Sequence, residues 1–591
     1  MAVEPKDPVA LFALPDIVRE DMPDGCILLR SRQRLAPYAR SLADLLRTRA
    51  EAHPDRLFLA RRQGAPGLDR VTYGQAREGA DALAQALLDR GLGPDRPLVV
   101  LSGNSIEHAL LTFAGYTAGI PVVPVSVAYS LATSDHARVR AIAELVRPGL
   151  VYADDAEAFG PALNLVAARS GASILAGQEE LARLLDTPAT EAVEAAHGQV
   201  GPDTVAKILF TSGSTGIPKG VVNTHRMLCA NQQQMRQVWP FLLAEPPVLV
   251  DWLPWSHTFG GNHNLNLVLA NGGTLHIDDG KPAPALFDLS LAALAENPPS
   301  AYFNVPIGFA LLVPRLESDA TFARQFFSRL QIMFCAAASL PAVTHHRLCT
   351  LAREVSGRNI PLTSSWGATE TGPAVTSAHY DPSPGGCIGV PVPGDELKLI
   401  PNADKLEIRV KGPNITPGYF GNPDATAAAF DSDGYYLTGD AVRFVDDSDP
   451  DRGLLFDGRI AEDFKLTSGT WVSVGALRTA LVSAADGLLS DAVIAGHDRD
   501  YVAALAWPAR AIDAPLHERL AEALTELNQH RGSSARIARL LLLDDPPSLD
   551  AGEITDKGYV NQRVVLDRRR STVERLYADP CPDDVIAPKD S

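Results

Sequence analysis

Helical and strand patterns alternate along the chain, and this alternation limits the fold more than any other feature of the sequence. An amphipathic helix pattern over residues 41–56 is stopped by Pro54, and the strand-like "LFLARR" follows it. A second helix pattern begins at Thr72 and ends in glycines, before the strand-like "PLVVLSGNS". Strands that alternate with helices form largely parallel sheets covered by helices. The sequence therefore predicts an α/β fold.

The length of 591 residues predicts more than one domain, because single hydrophobic cores stop growing near roughly 250 to 300 residues. Short alternating strands with Pro and Gly turns over Gly389–Phe420 indicate a small antiparallel sheet or barrel. After Asp457–Leu466 a new α+β pattern begins, and the tail from Asp579 is predicted to be frayed. We predict a large N-terminal domain of α/β subdomains with a small β-barrel-like part over residues 1–457. A small, mobile α+β C-terminal domain follows over residues 458–591.

The formal net charge of -18 disfavours nucleic acid and anionic lipid as partners, since both would be repelled by most of the surface. The six cysteines are scattered and fit a reduced, cytoplasmic chain. Glycines and prolines interrupt the most apolar stretch, Ala109–Tyr129, which is therefore interpreted as a buried helix running into a buried strand. We expect a cytoplasmic protein that binds small molecules, does not cross a membrane and has an oligomeric state that the sequence leaves open.

The stretch "ILFTSGSTGIPKGVVNTH" concentrates hydroxyl residues, glycines and a lysine between two apolar segments. Backbone N–H groups freed by Gly213 and Gly216, together with hydroxyl donors and Lys219, are suitable for binding phosphate oxygens. It differs from the nucleoside-triphosphatase phosphate loop, because Gly220 follows the lysine where that loop has Ser or Thr. The composition alone leaves two interpretations open, a phosphate-binding loop and an ordinary surface turn.

The order of residues in this stretch resembles the signature of the acyl-activating adenylate-forming enzymes, the superfamily of acyl- and aryl-CoA synthetases. The resemblance implies an ATP-dependent reaction through an acyl-adenylate, with ATP, coenzyme A and Mg²⁺ required. It also implies that the phosphates of ATP are bound by the residues of the loop, which are Thr211, Ser212, Gly213, Ser214, Thr215, Gly216 and Lys219.

Three further stretches follow in the order that the resemblance requires. "SSWGATETG" is similar to the motif whose Thr contacts phosphate and whose Glu helps to hold Mg²⁺, here Thr369 and Glu370. "YYLTGD" is similar to the motif whose Asp binds the ribose hydroxyls, here Asp440. "DGRIAEDFKL" resembles the hinge motif, with Arg459 reaching the ribose or the phosphates. Without these companions Glu370 would be a solvated loop carboxylate and Asp440 a turn cap.

The resemblance also assigns catalytic roles at the acyl end of the reaction. His257 in "LPWSHTFGG" takes the place of a residue near the acyl carboxylate, although a core histidine is the competing interpretation. Lys557 in "GEITDKGYVNQR" takes the place of the C-terminal catalytic lysine, and Lys465 that of a lysine used in thioester formation. The hinge position is Ala461 where relatives have Asp or Lys, so the pivot is assigned only to residues 461–463.

The same resemblance assigns residues to the binding sites of the acid and the adenine. In "CAAAS", Ala337 would lie along adenine and Ala336 would line the acyl pocket, with core packing as the competing interpretation. Tyr302, Trp366 and Gly367 belong to the other segments that line this pocket in relatives.

Stretches outside the shared motifs are similar to the bacterial feruloyl-CoA synthase group, namely the opening from Asp24, the hinge and the end from Gly552. This resemblance implies an AMP-forming ligase that joins a hydroxycinnamate, with ferulate favoured, to coenzyme A. The alternatives are another aromatic or medium-chain carboxylate, or a stand-alone adenylation enzyme serving a carrier protein. We expect a stand-alone ligase, since the chain ends 34 residues after Lys557 without a carrier-like stretch, and its final Lys-Asp-Ser gives no support to luciferase chemistry.

Overall fold

The computed structural model describes residues 10–62, 69–133, 135–211, 218–283, 285–338, 340–380, 386–402, 405–509, 512–555 and 560–589. Within these ranges the strands are β1 (Ile17–Asp21), β2 (Ile27–Ser31), β3 (Leu57–Arg61), β4 (Arg70–Thr72), β5 (Leu98–Val100), β6 (Val122–Pro124), β7 (Leu150–Ala153), β8 (Ser173–Ala176), β9 (Val205–Thr211), β10 (Lys219–Thr224), β11 (Val248–Asp251), β12 (Thr274–Ile277), β13 (Ala301–Asn304), β14 (Ile332–Cys335), β15 (Leu362–Thr363), β16 (Thr376–Ser377), β17 (Cys387–Pro391), β18 (Glu396–Asn402), β19 (Lys405–Lys411), β20 (Tyr436–Phe444), β21 (Leu454–Arg459), β22 (Phe464–Lys465), β23 (Trp471–Val472), β24 (Leu489–Ala495), β25 (Val502–Pro508), β26 (Ile537–Leu542) and β27 (Val585–Ile586).

The α-helices of the described residues are α1 (Leu42–Ala52), α2 (Tyr73–Asp89), α3 (Ile106–Ala118), α4 (Val127–Leu131), α5 (Ala137–Val146), α6 (Gly160–Ser170), α7 (Gln178–Leu185), α8 (Glu191–Gln199), α9 (His225–Val238), α10 (Phe241–Ala244), α11 (Leu265–Asn271), α12 (Phe287–Glu296), α13 (Pro306–Ser318), α14 (Ala320–Phe327), α15 (Ala342–Ser356), α16 (Pro423–Ala427), α17 (Val474–Ala484), α18 (Ala514–Asn528), α19 (Gln562–Arg568) and α20 (Arg570–Leu576). A π-helix covers Thr258–Asn264, and a short 3₁₀-helix covers Thr369–Thr371.

Capping side chains explain where the first helices begin. The Ser41 hydroxyl accepts a hydrogen bond from the Asp44 amide at the start of α1, which ends before Pro54 as predicted. Thr72 and Gln75 form a capping box at the start of α2. Both caps satisfy amide donors that have no partner within the helix. The predicted helix and strand of the most apolar stretch are confirmed, since every residue of α3 and β6 is buried.

Largely parallel sheets form the first part of the chain. The six-stranded sheet has the order β10-β9-β6-β5-β7-β8, in which only the β9/β10 pair at one edge is antiparallel. A four-stranded sheet, β11-β12-β3-β4, is parallel except for β3/β4, and the three strands of β13-β14-β15 are parallel. The α/β class is therefore confirmed.

The chain divides into two compact units. The first comprises Met1–Lys398, Arg409–Leu437 and Phe444–Leu455, and the second comprises Leu399–Ile408, Thr438–Arg443 and Phe456–Ser591. An eight-stranded sheet has the order β1-β2-β18-β19-β20-β21-β17-β16, and four of its strands, β18 to β21, contain residues of both units. The domain boundary predicted between residues 457 and 458 stays a prediction.

The second unit has its own hydrophobic core between the sheet β24-β25-β26-β27 and the helices α17 and α18. The expectation of a frayed tail is wrong for Val585–Ile586, because these residues form β27 and pair with β26. Both side chains are buried, so apolar burial at the sheet edge holds this segment in place.

Among the described residues, no helix is both long enough and apolar enough to cross a membrane.

A substitution in α18 tests the core of the second unit. Leu524 is fully buried, and Leu524→Ala is expected to destabilise this unit by about 2 to 5 kcal/mol through lost apolar burial and a residual cavity. The control is Arg519→Ala on the exposed side of the same helix, for which we expect a change within about 0.5 kcal/mol. Urea unfolding of the full chain, followed by hydrogen exchange of peptides from α18, measures both. Equal destabilisation by the two variants would contradict the assignment.

Candidate active site

The loop predicted to bind phosphate connects the two antiparallel strands β9 and β10. Thr211 ends β9 and pairs with Lys219, the first residue of β10. The loop residues between them, at 212–217, lie outside the described residues, so the predicted roles of Ser212, Gly213, Ser214, Thr215 and Gly216 stay predictions. The pairing nevertheless fixes the two ends of the loop opposite each other at the edge of the six-stranded sheet.

Lys219 and Glu370, which are 151 residues apart in the sequence, are connected by the side chain of Tyr419. The Lys219 ammonium lies 5.0 Å from the centroid of the Tyr419 ring. The Tyr419 hydroxyl donates to Glu370 Oε1 at 3.2 Å and lies 3.4 Å from the Tyr436 hydroxyl. Burial, with the adjacent Glu370 carboxylate, raises the pKa of Tyr419 to about 12. The hydroxyl therefore keeps its proton at neutral pH and holds the carboxylate by a hydrogen bond to a charged group.

Backbone hydrogen bonds hold Tyr419 beside β10. The Val222 amide donates to the Gly418 carbonyl at 3.1 Å, and the Phe420 amide donates to the Gly220 carbonyl at 2.7 Å. The Thr416 amide donates to the carbonyl of Glu370 at 2.8 Å. The segment 416–420 thus joins the β9/β10 hairpin to the segment that carries Glu370. Sequence analysis missed Tyr419, although the residue lies within Gly389–Phe420, the range predicted to form a small antiparallel sheet or barrel.

The segment that contains Trp366, Gly367, Thr369 and Glu370 is tightly packed. Thr369 and Glu370 are buried in the 3₁₀-helix. Two amides, those of Val375 and the next residue, donate to the Trp366 carbonyl. A Cβ atom at Gly367 would lie 1.8 Å from the carbonyl oxygen of Pro373, so only glycine fits there. This packing fixes the position of the predicted phosphate and metal ligands.

A cluster of buried polar side chains, which sequence analysis missed, is hydrogen-bonded to the backbone of this segment. Asn414 donates to the carbonyls of Thr371 and Ala374 at 2.8 and 3.1 Å. Gln234 donates to Asp395 Oδ1 at 2.9 Å. Burial raises the pKa of the Asp395 carboxyl above its ordinary value, against hydrogen bonds from Asn414 and Gln234 that lower it. These hydrogen bonds connect Gln234 of α9, through Asn414, to the backbone of the segment that carries Glu370.

The residues predicted at the acyl end have different environments. His257 is half-buried at the start of the π-helix, where its Nδ1 accepts from the Phe259 amide at 3.2 Å. Tyr302 is buried in an aromatic cluster, with ring centroids 5.5 Å from Phe309 and 5.2 Å from Phe326, and its hydroxyl accepts from Asn304 at 2.6 Å. The structure therefore places the Tyr302 ring in the core, and its role in binding the acid stays a prediction.

The two alanines predicted beside the acid and the adenine follow β14. Ala336 is half-buried and packs against the large core, whereas Ala337 is exposed and has a left-handed backbone with φ of 79°. A non-glycine residue in this region is uncommon and is often found at functional sites.

The second unit contains Asp440, predicted to bind the ribose, Arg459, predicted to reach the ribose or the phosphates, and one of the two predicted lysines. Asp440 Oδ1 and Arg459 Nε lie 3.3 Å apart, with Asp440 buried and the Arg459 side chain exposed. Lys465, in the two-stranded β22/β23 sheet, places its ammonium 4.9 Å from the centroid of the Trp471 ring. Lys557 lies outside the described residues, and its catalytic role stays a prediction.

Lys405, a lysine that sequence analysis missed, contacts two residues of the predicted hinge segment, Asp457 and Asp463, within the second unit. The Lys405 ammonium donates to the Asp457 carbonyl at 2.8 Å and to the Ser473 hydroxyl at 2.9 Å, and it forms an ion pair with Asp463. Asp463 Oδ1 also accepts from the Val474 amide at 3.0 Å. Because both charged side chains are largely buried, removal of either partner would leave an uncompensated charge.

The carboxylate content of the site fits a magnesium ion that arrives with a nucleotide. Within the described ranges, no group of three or more His, Cys, Asp or Glu side chains could hold a metal on its own. Mg²⁺ is usually bound by one or two carboxylates together with substrate phosphates and waters. The single carboxylate of Glu370, fixed by Tyr419, meets that requirement.

Two family models match the chain. Residues 46–420 match the model described as AMP-binding enzyme, and residues 465–580 match the model described as AMP-binding enzyme C-terminal domain.

Curated relatives have several functions. A carboxylic acid reductase of Segniliparus rugosus is 25% identical over 87% of this chain, and the chain spans only 47% of that protein. A long-chain-fatty-acid–CoA ligase of Mycobacterium bovis is 26% identical, with 86% of this chain and 92% of that protein covered. A feruloyl-CoA synthase of Amycolatopsis sp is 28% identical, with 63% and 71% covered.

Among solved structures, an anthranilate CoA ligase in complex with anthranoyl-AMP superposes with a TM-score of 0.71 at 18% identity. The match covers 91% of this chain and 98% of that one. At this identity the likeness establishes the fold.

Substitutions at Tyr419 test the connection between Lys219 and Glu370. Tyr419→Phe keeps the ring beside Lys219 and removes the hydroxyl, and it should weaken MgATP binding about tenfold, since a hydrogen bond to a charged group contributes about 1.5 kcal/mol. Tyr419→Ala also removes the ring and should cost a further twofold to fivefold. Calorimetric titration measures the Kd. Tyr436→Phe is the control, because it removes the neighbouring hydroxyl and leaves the contacts of Tyr419 with Lys219 and Glu370 in place. A wild-type Kd for Tyr419→Ala would refute the proposed arrangement.

Proposed function

The chain belongs to the AMP-binding enzyme family, and we propose that it is an ATP-dependent, AMP-forming ligase that joins a hydroxycinnamate, ferulate first, to coenzyme A. The broader part of this statement, an AMP-forming acyl- or aryl-CoA ligase that uses ATP, coenzyme A and Mg²⁺, is supported by both family models and by the ligases among the relatives.

The arrangement of Lys219, Tyr419 and Glu370 is the structural observation that carries the proposal. In the first half-reaction a carboxylate oxygen of the acid bonds to the α-phosphorus of ATP, and pyrophosphate leaves. Two anions must approach each other, so a cation and a metal ligand at one place offset their repulsion. Mg²⁺, when bound, neutralises charge on the phosphates. Tyr419 keeps the carboxylate of Glu370 and the ammonium of Lys219 at fixed positions at the end of the hairpin.

Residues of the second unit have the remaining roles in the proposal. Asp440 can accept hydrogen bonds from two neighbouring ribose hydroxyls. In the second half-reaction the sulfur of coenzyme A bonds to the acyl carbon, AMP leaves, and the thiol gives up its proton. We assign Lys557 to adenylate formation and Lys465 to thioester formation.

The proposal of a hydroxycinnamate rests on the segments assigned to the acyl pocket. Tyr302–Leu312, Cys335–Ala338 and the surroundings of Trp366 combine aromatic rings, alanines and glycines with few charges. Such a lining suits a flat apolar ring with a polar edge. It disfavours an amino acid, whose ammonium would need a buried carboxylate. The relative named feruloyl-CoA synthase supports ferulate, whereas the fatty-acid ligase supports the alternative of a longer aliphatic acid.

Product analysis with a panel of acids tests the function. We expect AMP, pyrophosphate and the thioester from ATP, coenzyme A and ferulate, identified by mass spectrometry. The kcat/KM should be highest for ferulate, with p-coumarate and caffeate also accepted, because a methoxy-sized change in an apolar pocket is worth about 1 to 3 kcal/mol. ADP as the nucleotide product would refute the ligase class. A preference for benzoate or octanoate over all three hydroxycinnamates would refute the substrate and leave the chemistry standing.

The two lysines should separate the half-reactions. Lys557→Ala is expected to lose adenylate formation by on the order of a hundredfold or more, because a cation is removed from developing phosphate charge. The same variant should still convert supplied feruloyl-adenylate to the thioester, and Lys465→Ala should show the reverse. The control is Lys281→Ala at an exposed lysine of the first unit. Rapid-quench experiments measure the rate of each half-reaction in each variant. Equal losses of adenylate formation and thioester formation in folded Lys557→Ala would contradict the assignment.

A further inference from the structure

The loop between β11 and the π-helix carries His257 at its end. The His257 amide donates to the Pro254 carbonyl at 3.0 Å, which closes a turn directly before the π-helix. The π-helix packs closely on this loop, because a Cβ atom at Gly260 would lie 2.2 Å from the carbonyl oxygen of Leu253. The position of His257 therefore depends on the backbone of residues 253 and 254.

A side chain from a different sheet holds the backbone of this loop. Asn104 follows β5 of the six-stranded sheet and is 149 residues from Leu253 in the sequence. Its Nδ2 donates to the Leu253 carbonyl at 2.9 Å, and its Oδ1 accepts from the Trp255 amide at 2.9 Å. One planar amide group thus bonds to the backbone on both sides of Pro254, which has no amide proton of its own. The two hydrogen bonds fix the loop relative to the end of β5.

Asn104 is itself held by the start of α3. Ser105 caps this helix, because its hydroxyl accepts from the His108 amide at 3.0 Å. Burial lowers the pKa of His108 to about 4, so the ring is neutral and donates from Nδ1 to the Gly103 carbonyl at 3.0 Å. The same ring makes an edge-to-face contact with Trp255, with centroids 5.3 Å apart. The residues on both sides of Asn104 are therefore fixed to a buried helix that also contacts the loop.

The ring of His257 has a defined tautomer in this arrangement. Its Nδ1 accepts from the Phe259 amide at 3.2 Å, so the neutral imidazole carries its proton on Nε2. A group of this kind can donate a hydrogen bond to a carboxylate. Groups that act on a reacting atom must be held to within about 0.5 Å of the productive position, so the support of the loop bears directly on what His257 can do.

We propose that Asn104 is a positioning residue that acts through His257, by holding the loop so that the imidazole meets the carboxylate of the acid in the first half-reaction. The inference rests on the proposed function, with His257 in the place near the acyl carboxylate that the sequence predicts. The contacts that join Lys219 and Glu370 run through Tyr419 and do not involve Asn104. Loss of Asn104 should therefore slow adenylate formation and leave MgATP binding unchanged.

The test measures single-turnover adenylate formation by rapid quench, with MgATP and the preferred acid of the panel and without coenzyme A. Asn104→Ala should lower the rate constant about 10- to 100-fold, because a displacement of about 1 Å at a reacting group can cost a hundredfold. The Kd of MgATP should stay within about twofold of wild type. The matched control is Asn297→Ala, since this half-buried asparagine donates to the Ala293 carbonyl of its own helix, and it should keep the wild-type rate.

A double-mutant cycle with His257→Ala adds a readout that general destabilisation does not change. If Asn104 acts through His257, Asn104→Ala should cost at most about twofold in the His257→Ala enzyme, so the two effects are non-additive. Asn104→Asp is the second variant if Asn104→Ala does not fold, because it keeps the size and the acceptor for the Trp255 amide and removes only the bond to Leu253. The same outcomes apply to it.

Equal costs of the Asn104 substitution with and without His257, or a wild-type rate in the folded Asn104 variant, would overturn the inference. AMP formation by the wild type with any acid of the panel would then show that the proposed ligase chemistry stands. Absence of AMP with every acid would refute that chemistry and the inference with it.

Discussion

The antiparallel pairing of β9 with β10 is the contact on which the candidate site depends. It lies at the edge of an otherwise parallel sheet, where a strand can be joined to its neighbour by a loop instead of a crossover helix. Backbone hydrogen bonds connect β10 to the segment 416–420, which carries Tyr419 and also bonds to the backbone of Glu370. The other connection runs through Lys207 and Asn223 to the π-helix. A shift of the hairpin would therefore displace Glu370, the predicted metal ligand, and the π-helix that follows His257 together.

Local chemistry explains how much of the fold could be predicted. The start of α2 follows from Thr72 and Gln75, which are three residues apart, and the burial of α3 and β6 follows from one continuous apolar stretch. The strand β27 could not be predicted in this way, because a single pair of β-branched residues, Val585 and Ile586, stands in a tail rich in Asp and Pro. Their strand state depends on the edge of β26, and tertiary contacts of that kind leave no periodic signal.

In the site, too, residues with a local sequence signal could be predicted, whereas residues defined by tertiary contacts could not. Resemblance placed Thr211, Lys219 and Glu370 at matching motif positions, and the structure brings Lys219 to the ring of Tyr419 and Glu370 to its hydroxyl. Tyr419 itself carries no signal, since a tyrosine after a Pro-Gly turn is an ordinary core residue until its partners are known. Asn414 and Gln234 are likewise separated by 180 residues, yet Gln234 donates both to Asn414 Oδ1 and to Asp395, and Asn414 donates to the backbone of the second motif. Sequence patterns report periodicity along the chain and cannot report such pairs.

The buried lysines of the two units differ in how their charge is compensated. Lys405 has the carboxylate of Asp463 beside it, so its charge is compensated where it is buried. Lys207 has a backbone carbonyl, the ring of Tyr116 and, from the same helix, His108, whose pKa burial lowers to about 4. With its own pKa lowered to about 7, Lys207 binds its proton more weakly in the folded state than in the unfolded chain. Its unfavourable contribution to stability is therefore greatest below about pH 7 and is relieved as pH rises towards its ordinary value of 10.5. Since the neutral amine still donates a hydrogen bond, the contact with the Gly261 carbonyl persists in both protonation states, and the link between hairpin and π-helix does not require the charge.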